Sequence, residues 1–295
     1  MDFLAPTTWA DALAAKAEHP DAVPVAGGTD VMVEINFGHR TPPWLLDLTR
    51  VPELAHWDRD GGRVRLGAGA SYARLITELA GELPGLAMAA RTVGSPQIRN
   101  RGTVGGNLGA ASPAGDSHPP LLATGAEVEL ASVRGERRVP VAEFFTGPKR
   151  SVLAGDELIA AVHVPAATGP QQFCKVGTRN AMVISVTAFA LALHPGSRSV
   201  GTGVGSAAPT PRPAPDAAAF LEGELVARDL WSSGAPLPPE LVDEFGRRVR
   251  DAAAPIDDVR GSAAYRLHAL AVLARRALTW AWDEHRTGTH TRRAA

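Results

Sequence analysis

Along its first half the chain alternates between a helical and a strand-like rhythm of apolar positions. Thr8 offers an N-cap for a helix with a small apolar face at Ala10, Leu13, Ala14 and Ala17, ended by His19-Pro20. Val23 to Val25 reads as a short strand, Val31 to Ile35 as a helix-like run and Trp44 to Leu48 as another strand, together a small βαβ-type lobe. Asp60-Gly61-Gly62 is a hairpin turn between Trp57 and the strand Arg63 to Leu66. Ser71 caps a helix whose one face carries Tyr72, Leu75, Ile76, Leu79 and Leu83, and a second helix covers Leu86 to Val93. Val128 and Leu130 alternate with Glu127 and Glu129, the pattern of a half-exposed strand that Arg134-Gly135 turns back. Leu158 to Pro165 is a further strand.

Residues 166–170 read as a connector and place a domain boundary there. Beyond it, Phe173 to Val176, Ile184 to Leu193 and Val200 to Ser206 predict an antiparallel meander. Pro209, Pro211, Pro213 and Pro215 exclude regular structure between them. A long helix follows, capped by Ser262, with a stripe at Leu267, Leu270, Ala271, Ala274, Leu278 and Ala281. The tail from Arg286 is polar.

Two glycine-rich stretches interrupt this pattern. Val23-Pro-Val-Ala-Gly-Gly-Thr-Asp30 runs from a strand through a glycine pair into a helix-like run, and Arg99-Asn-Arg-Gly-Thr-Val-Gly-Gly-Asn-Leu108 continues to Asp116. Such backbones can approach an anion closely and donate N–H groups to it, as at a pyrophosphate. Neither matches the P-loop or the Rossmann fingerprint. One pair alone reads equally well as a tight turn; two pairs favour a shared anion.

Composition narrows the classes. At 295 residues the chain suffices for one large domain or two. With 30 Lys plus Arg against 31 Asp plus Glu and no long charged block, nucleic acid is not an expected partner. No apolar run approaches the roughly 20 residues of a membrane span, and the N-terminus lacks a secretion signal, so a cytoplasmic protein is expected. The single cysteine, Cys174, excludes an iron–sulfur cluster held by this chain alone, and the histidines show no metal-ligand spacing.

Ala26-Gly-Gly-Thr-Asp30 and Gln97 through Leu108, followed by Ala111-Ser-Pro-Ala-Gly-Asp116, resemble the two flavin motifs of the FAD-binding medium subunits of molybdenum-containing hydroxylases, the xanthine dehydrogenase and carbon monoxide dehydrogenase family. Phe144-Phe-Thr-Gly-Pro148, Lys175-Val-Gly-Thr-Arg179 and Asp258-Val-Arg-Gly-Ser-Ala-Ala-Tyr-Arg266 also resemble it, in the family's order, so the likeness spans the chain. The resemblance implies an α+β fold: an FAD-binding domain of the vanillyl-alcohol-oxidase-like kind over residues 1–168, with subdomains of about 1–56 and 57–168, then a smaller C-terminal domain over 169–295 with a three-stranded antiparallel sheet and helices. It implies FAD in this chain, held by Pro24, Val25, Ala26, Gly27, Gly28, Thr29, Asp30, Thr103, Val104, Gly105, Gly106, Asn107, Asp116, Ile159 and Lys175. It places [2Fe-2S] clusters in a small partner subunit and molybdopterin-bound molybdenum in a large one, with NAD⁺ or another molecule as electron acceptor. The segment from Lys175 to Ile184 and the start Met1-Asp-Phe-Leu look most like the xanthine dehydrogenase branch, so purine oxidation is the expected overall reaction. Carbon monoxide, aldehydes and N-heterocycles stay open, as do a free-standing flavin oxidoreductase and a subunit that has lost its cofactor.

For a diphosphate, the amides of Gly27, Gly28 and Thr29 and of Gly105, Gly106 and Asn107 are the expected donors, with the side chains of Thr29, Thr103 and Asn107 adding bonds. Asp116 suits a sugar-type hydroxyl, or alternatively caps the next helix. Lys175 and Arg179 resemble a basic pair near the flavin ring; Lys175 reads equally as a solvated edge-strand lysine. The Asn180-Ala-Met-Val183 that follows lacks the acidic residue many relatives carry. Arg91, Arg99 and Arg101 flank the second motif, facing either a partner chain or solvent. Gly201-Thr-Gly-Val-Gly205 reads as close strand packing. Ser112, Asp116 and His118 supply the residue types of a hydrolytic triad without its motif, and no general acid or base is assigned.

Overall fold

The computed structural model describes residues 1–288. Its first lobe is a three-stranded parallel sheet in which Trp44–Asp47 lies between Asp2–Leu4 and Val23–Val25. Asp2–Leu4 was not expected as a strand; three residues show no periodicity, and only pairing to Trp44–Leu46 defines it. The helix Trp9–Glu18 starts where expected, with the Thr8 hydroxyl accepting from the Asp11 amide at 3.1 Å. Its buried face differs from the expected stripe: Ala12 and Lys16 are buried, whereas Ala10 and Ala14 are exposed. The reason is Lys16, whose stem crosses the interface while its ammonium donates to the carbonyls of Pro20 and Ala22 at 2.9 and 2.7 Å.

The second lobe is a five-stranded antiparallel sheet in the order Trp57–Asp60, Arg63–Gly67, Leu158–Pro165, Glu127–Ser132, Gly135–Pro140. Alternation sends Val64, Leu66, Val128, Leu130, Val162 and Val164 to one face, where they form the core with Leu75, Leu79, Leu83, Leu86, Leu121 and Phe144. Burying each leucine contributes about 1.5–3 kcal/mol. The helices Tyr72–Glu78, Pro84–Thr92 and His118–Ala123 supply that second layer. The opposite face carries a charged ladder instead: Arg65 grips Glu129 with two bonds, at 2.9 and 2.5 Å, and His163 Nε2 meets the same carboxylate at 2.5 Å. Glu129 is therefore only 4% exposed, and the strand expected to be half-exposed is buried on both sides. Burial opposes its ionisation, but Arg65 and His163 outweigh burial and hold its carboxyl below the usual range.

The C-terminal part has the expected antiparallel meander, Gln171–Gly177, Ser185–His194 and Ser199–Gly205 in that order. Its core joins Phe189, Leu191 and Leu193 to the helices Pro215–Ala227, Pro239–Asp251 and Ala263–Thr287. Ser262 caps the last of these as expected, accepting from the Tyr265 amide at 3.2 Å. That helix continues past Arg286 to Thr287 and ends on Gly288, and the tail beyond residue 288 lies outside the described residues. The two parts meet through small residues. A Cβ on Gly201 would stand 1.7 Å from the Ala123 carbonyl oxygen, and one on Gly203 2.0 Å from that of Pro119. The strand thus lies flat on the helix His118–Ala123, and its glycines serve close packing. Among the described residues no helix is long and apolar enough to cross a membrane.

Candidate cofactor cleft

The two glycine motifs face each other across one cleft of about 480 Å³. Pro24, Ala26, Gly27, Gly28, Thr29 and Asp30 form one wall; Thr103, Gly105, Gly106 and Asn107 form the other; Ile159, at an irregularity in the pairing of the central strand Leu158–Pro165, contributes to the lining. The motifs also touch: a Cβ on Gly27 would sit 1.9 Å from the Arg101 carbonyl oxygen, so only glycine permits this approach. Gly28 adopts φ +74°, reversing the chain into the helix Val31–Asn36.

The second motif is not a loop. The residues Val104–Ala110 form about two helical turns, capped by Thr103, whose hydroxyl accepts from the Gly106 amide at 2.8 Å. The Asn107 amide donates to the Thr103 carbonyl. Neither amide is therefore free for a ligand, contrary to expectation, and the Thr103 hydroxyl already serves as a cap. What the helix offers is a surface without side chains: Gly106 and Gly109 are exposed, and a Cβ on Gly109 would be 3.8 Å from Ile159 Cδ1. On the first motif the amides of Gly27, Gly28 and Thr29 have no hydrogen-bond partner among the described residues. Three successive free N–H groups at a glycine turn are a nest for an anion.

Val25 and Val104 do not line the cleft; Val25 packs beneath Gly28, and Val104 is buried in the core. Asp116 and Lys175 also lie off this lining and bind each other, Nζ to Oδ2 at 2.5 Å, each side chain 8% exposed. Thr92 completes the knot, accepting from Lys175 through its carbonyl and donating to Asp116 through its hydroxyl, both at 3.3 Å. Lys175 is thus not a solvated lysine, and Asp116 is not a cap, since Ser117 precedes the helix His118–Ala123 and makes no side-chain capping bond. Burial pushes the Asp116 carboxyl up, against the pull of Lys175. Lys175→Met should destabilise the protein by about 1–3 kcal/mol, less than an ordinary broken buried pair, because Asp116 can neutralise itself by protonation. Denaturant titrations at pH 5 and 8 check this: the deficit should grow with pH, and an equal deficit at both would contradict it.

Ser112, Asp116 and His118 make no triad. Asp116 faces Lys175, the Ser112 hydroxyl accepts from the Ala114 amide, and neither ring nitrogen of His118 has a partner of good geometry. Burial pushes the His118 imidazole down to about 3, against a smaller pull from the Ser112 backbone. The unfolded chain then takes up this proton first, so stability is intact above the unfolded value of 6.5 and falls as pH drops toward 3. This residue should contribute a slope of about 1.4 kcal/mol per pH unit in that window, and His118→Gln should remove it in unfolding titrations from pH 7 to 4.

Sequence reasoning missed several residues of the lining, among them Glu34, Arg40, Asn100, Arg101 and Lys149. Lys149 and Arg40 both reach Glu34, so a carboxylate of the first lobe is paired with the Arg150–Ser151 hairpin of the second. The only signal was position: Arg101 sits inside the second motif and Lys149 directly follows Phe144-Phe-Thr-Gly-Pro148.

Residues 1–167 match the family described as the FAD binding domain in molybdopterin dehydrogenase, and residues 172–281 match the CO dehydrogenase flavoprotein C-terminal domain. The chain belongs to this family. It is an oxidoreductase chain of the molybdenum hydroxylase flavin-subunit type. It is 31% identical to the xanthine dehydrogenase FAD-binding subunit of Escherichia coli O157:H7 over 92% of both chains, and 30% identical to the nicotine 6-hydroxylase medium subunit of Paenarthrobacter nicotinovorans over 94% of this chain and 95% of that one. Among solved structures, carbon monoxide dehydrogenase from Hydrogenophaga pseudoflava superimposes with a TM-score of 0.87 at 28% identity, covering 96% of this chain and 97% of that one. The FAD-binding domain and the C-terminal domain with its three-stranded sheet both follow that fold.

The residues present fit FAD. Three free amides suit a diphosphate, the bare helix face and Ile159 suit a flat ring, and the buried, unpartnered oxygen Asn107 Oδ1 on the lining suits a hydroxyl group of a sugar or ribityl chain.

Proposed function

We propose that this chain is the electron-transferring flavin subunit of a three-chain molybdenum hydroxylase that oxidises purines of the xanthine type. The observation that carries the flavin assignment is the row of free amides at Gly27, Gly28 and Thr29 facing the side-chain-free surface of the 104–110 helix. The xanthine assignment is supported by the relative that matches over 92% of both chains. A second reading, hydroxylation of another N-heterocycle, is favoured by the nicotine 6-hydroxylase relative and by a nicotinate dehydrogenase FAD-subunit of Eubacterium barkeri, 33% identical over 65% of this chain.

In this reading residues 1–168 hold the cofactor, and residues 169–295 brace Asp116, away from the cleft lining, through Lys175. Pro24 and the run Ala26 to Asp30 seat the diphosphate, Thr103 shapes the opposing helix, Asn107 accepts from a hydroxyl, and Ile159 gives an apolar contact. When bound, FAD supplies two-electron redox chemistry linking a one-electron donor to NAD⁺ or another acceptor. This chain's own residues bind, orient and shield. Lys175 and Asp116 neutralise each other away from the lining, and no residue is assigned as proton donor or acceptor to substrate. Substrate oxidation and the [2Fe-2S] relay belong to the large and small partner subunits of a cytoplasmic complex, consistent with the single, buried Cys174.

Purification of the native complex tests the reading. FAD, iron and molybdenum should co-elute with this chain, and xanthine should bleach the flavin faster than nicotinate does. A yellow, active single chain without iron or molybdenum would overturn it, and the reverse substrate order would select the N-heterocycle reading.

A further inference from the structure

The chain is nearly balanced in charge, yet it has no Asp or Glu between Glu82 and Asp116, and none between Glu157 and Asp216. The fold brings these two acid-free stretches together. The Gly85 amide donates to the Gln171 side chain at 3.1 Å and Lys175 Nζ donates to the Thr92 carbonyl, while within the first stretch Arg99 Nη1 donates to the carbonyls of Val93 and Gly94 at 3.1 and 3.0 Å. Arg91, Arg99, Arg101 and Arg179 on these stretches accordingly have no carboxylate, and Arg101 lines the cleft. Arg91 and Arg101 are exposed and have no partner among the described residues, Arg99 holds only backbone carbonyls, and Arg179 binds those of Ala181 and Met182.

Many arginines elsewhere are matched, among them Arg59 with Glu82, Arg134 with Asp156, Arg137 with Glu157 and Arg275 with Asp243. Arg50, Arg138, Arg150, Arg198, Arg212 and Arg276 also have no carboxylate among the described residues, but none of them lies on the two helices or the hairpin that carry the four. Carboxylates of the surrounding elements are already taken: Asp116 by Lys175, Glu78 by Arg74, Asp258 by Arg260 and Arg266, and, in the cleft, Glu34 by Lys149 and Glu157 by Arg137. Asp30 lies on the opposite wall of the cleft.

Resting on the electron-transfer reading above, we propose that this face is the docking surface for an acidic protein chain, the iron-bearing electron donor. Unpaired like charges repel and raise the local potential, a cost offset when an acidic surface covers them. The cations do not suit one small anion. They are strung from the last turn of the helix Pro84–Thr92, along the helix Pro96–Arg101, about 9 Å long, to the hairpin beyond Gly177. That hairpin adds apolar surface, with Met182 55% and Ile184 60% exposed next to Arg179. Arginine and methionine in one patch are typical of protein interfaces. Asn100 and Arg101 line the cleft, so a chain seated here lies at the cofactor's door.

The test uses the native complex, purified through a tag on this chain and washed in a series of NaCl concentrations, with iron and FAD measured per chain. In Arg91→Glu the NaCl concentration that strips half the iron should fall at least twofold, with FAD content unchanged. Arg91→Lys should behave as wild type, and so should Arg138→Glu, a reversal of an exposed arginine on the strand Gly135–Pro140. An unchanged midpoint in Arg91→Glu overturns the proposal. So does retention of iron with a raised KM for a pyridine nucleotide, which would make the face a small-anion site, and so does loss of FAD with the iron. A wild-type complex without iron overturns both this proposal and the electron-transfer reading, whereas iron that ignores Arg91 overturns the docking face alone.

Discussion

Gly106→Leu should strip FAD from the purified protein, to less than a tenth of the wild-type ratio after gel filtration, while the chain remains folded. Gly106 lies in a helix with ordinary backbone angles, so leucine there improves helix propensity by roughly 0.5–1 kcal/mol. Its Cβ would meet only Thr103 Oγ1 at 3.0 Å, which must yield by a few tenths of an ångström, and Ala26 Cβ at 3.9 Å across the cleft. The rest of the side chain fills the space between the two motifs. Gly223→Leu is the control: that glycine, on the helix Pro215–Ala227, has nothing within 4 Å of an added Cβ and should keep its flavin. Flavin absorbance with a thermal melt reads both. Full FAD content in Gly106→Leu would show that the cofactor does not lie against this helix.

Arg266→Met should cost about 3–5 kcal/mol, in the range expected for breaking a buried ion pair. Arg266 is 2% exposed on the helix Ala263–Thr287 and donates to the carbonyls of Val186 and Ser206, at 2.9 and 2.7 Å, and to Asp258 at 2.5 Å. Methionine fills much of the volume but leaves both carbonyls without a donor, each costing about 1–3 kcal/mol. Asp258 keeps Arg260, so the variant should fold, with a melting temperature lower by roughly 10 °C. A loss under 1 kcal/mol in denaturant titration would mean that water replaces the guanidinium.

Most of the architecture could be read from periodicity because apolar spacing and punctuation agreed. Ser71 and Ser262 cap their helices, Gly61-Gly62 turns its hairpin, and the meander beyond residue 170 pairs as its alternation predicts. Errors fell where long-range pairing decides the environment. Glu129 alternates like a solvent residue and is buried because Arg65 and His163, remote in sequence, converge on it. Lys16 is polar by type yet faces inward because two carbonyls await its ammonium. At the site, the glycine pairs pointed to the right surfaces, and the first pair to free amides, but the expected donors Gly106 and Asn107 of the second are occupied. Whether an amide is free depends on local capping, which Thr103 supplies to Gly106 and nothing supplies to Gly28. Lys149 and Glu34 were invisible, and Arg101 was read only as facing a partner or solvent, because no motif distinguishes a lining side chain from a surface one.

The contact of Gly27 with the Arg101 carbonyl, together with Ile159 on the strand that runs through the middle of the five-stranded sheet, has a bearing on biosynthesis. Both glycine turns leave the ribosome long before residue 158, yet neither wall can be clamped into register until that late strand inserts between two earlier ones. Flavin uptake should therefore be post-translational or nearly so, and a chain truncated ahead of Leu158 should emerge colourless however much cofactor surrounds it.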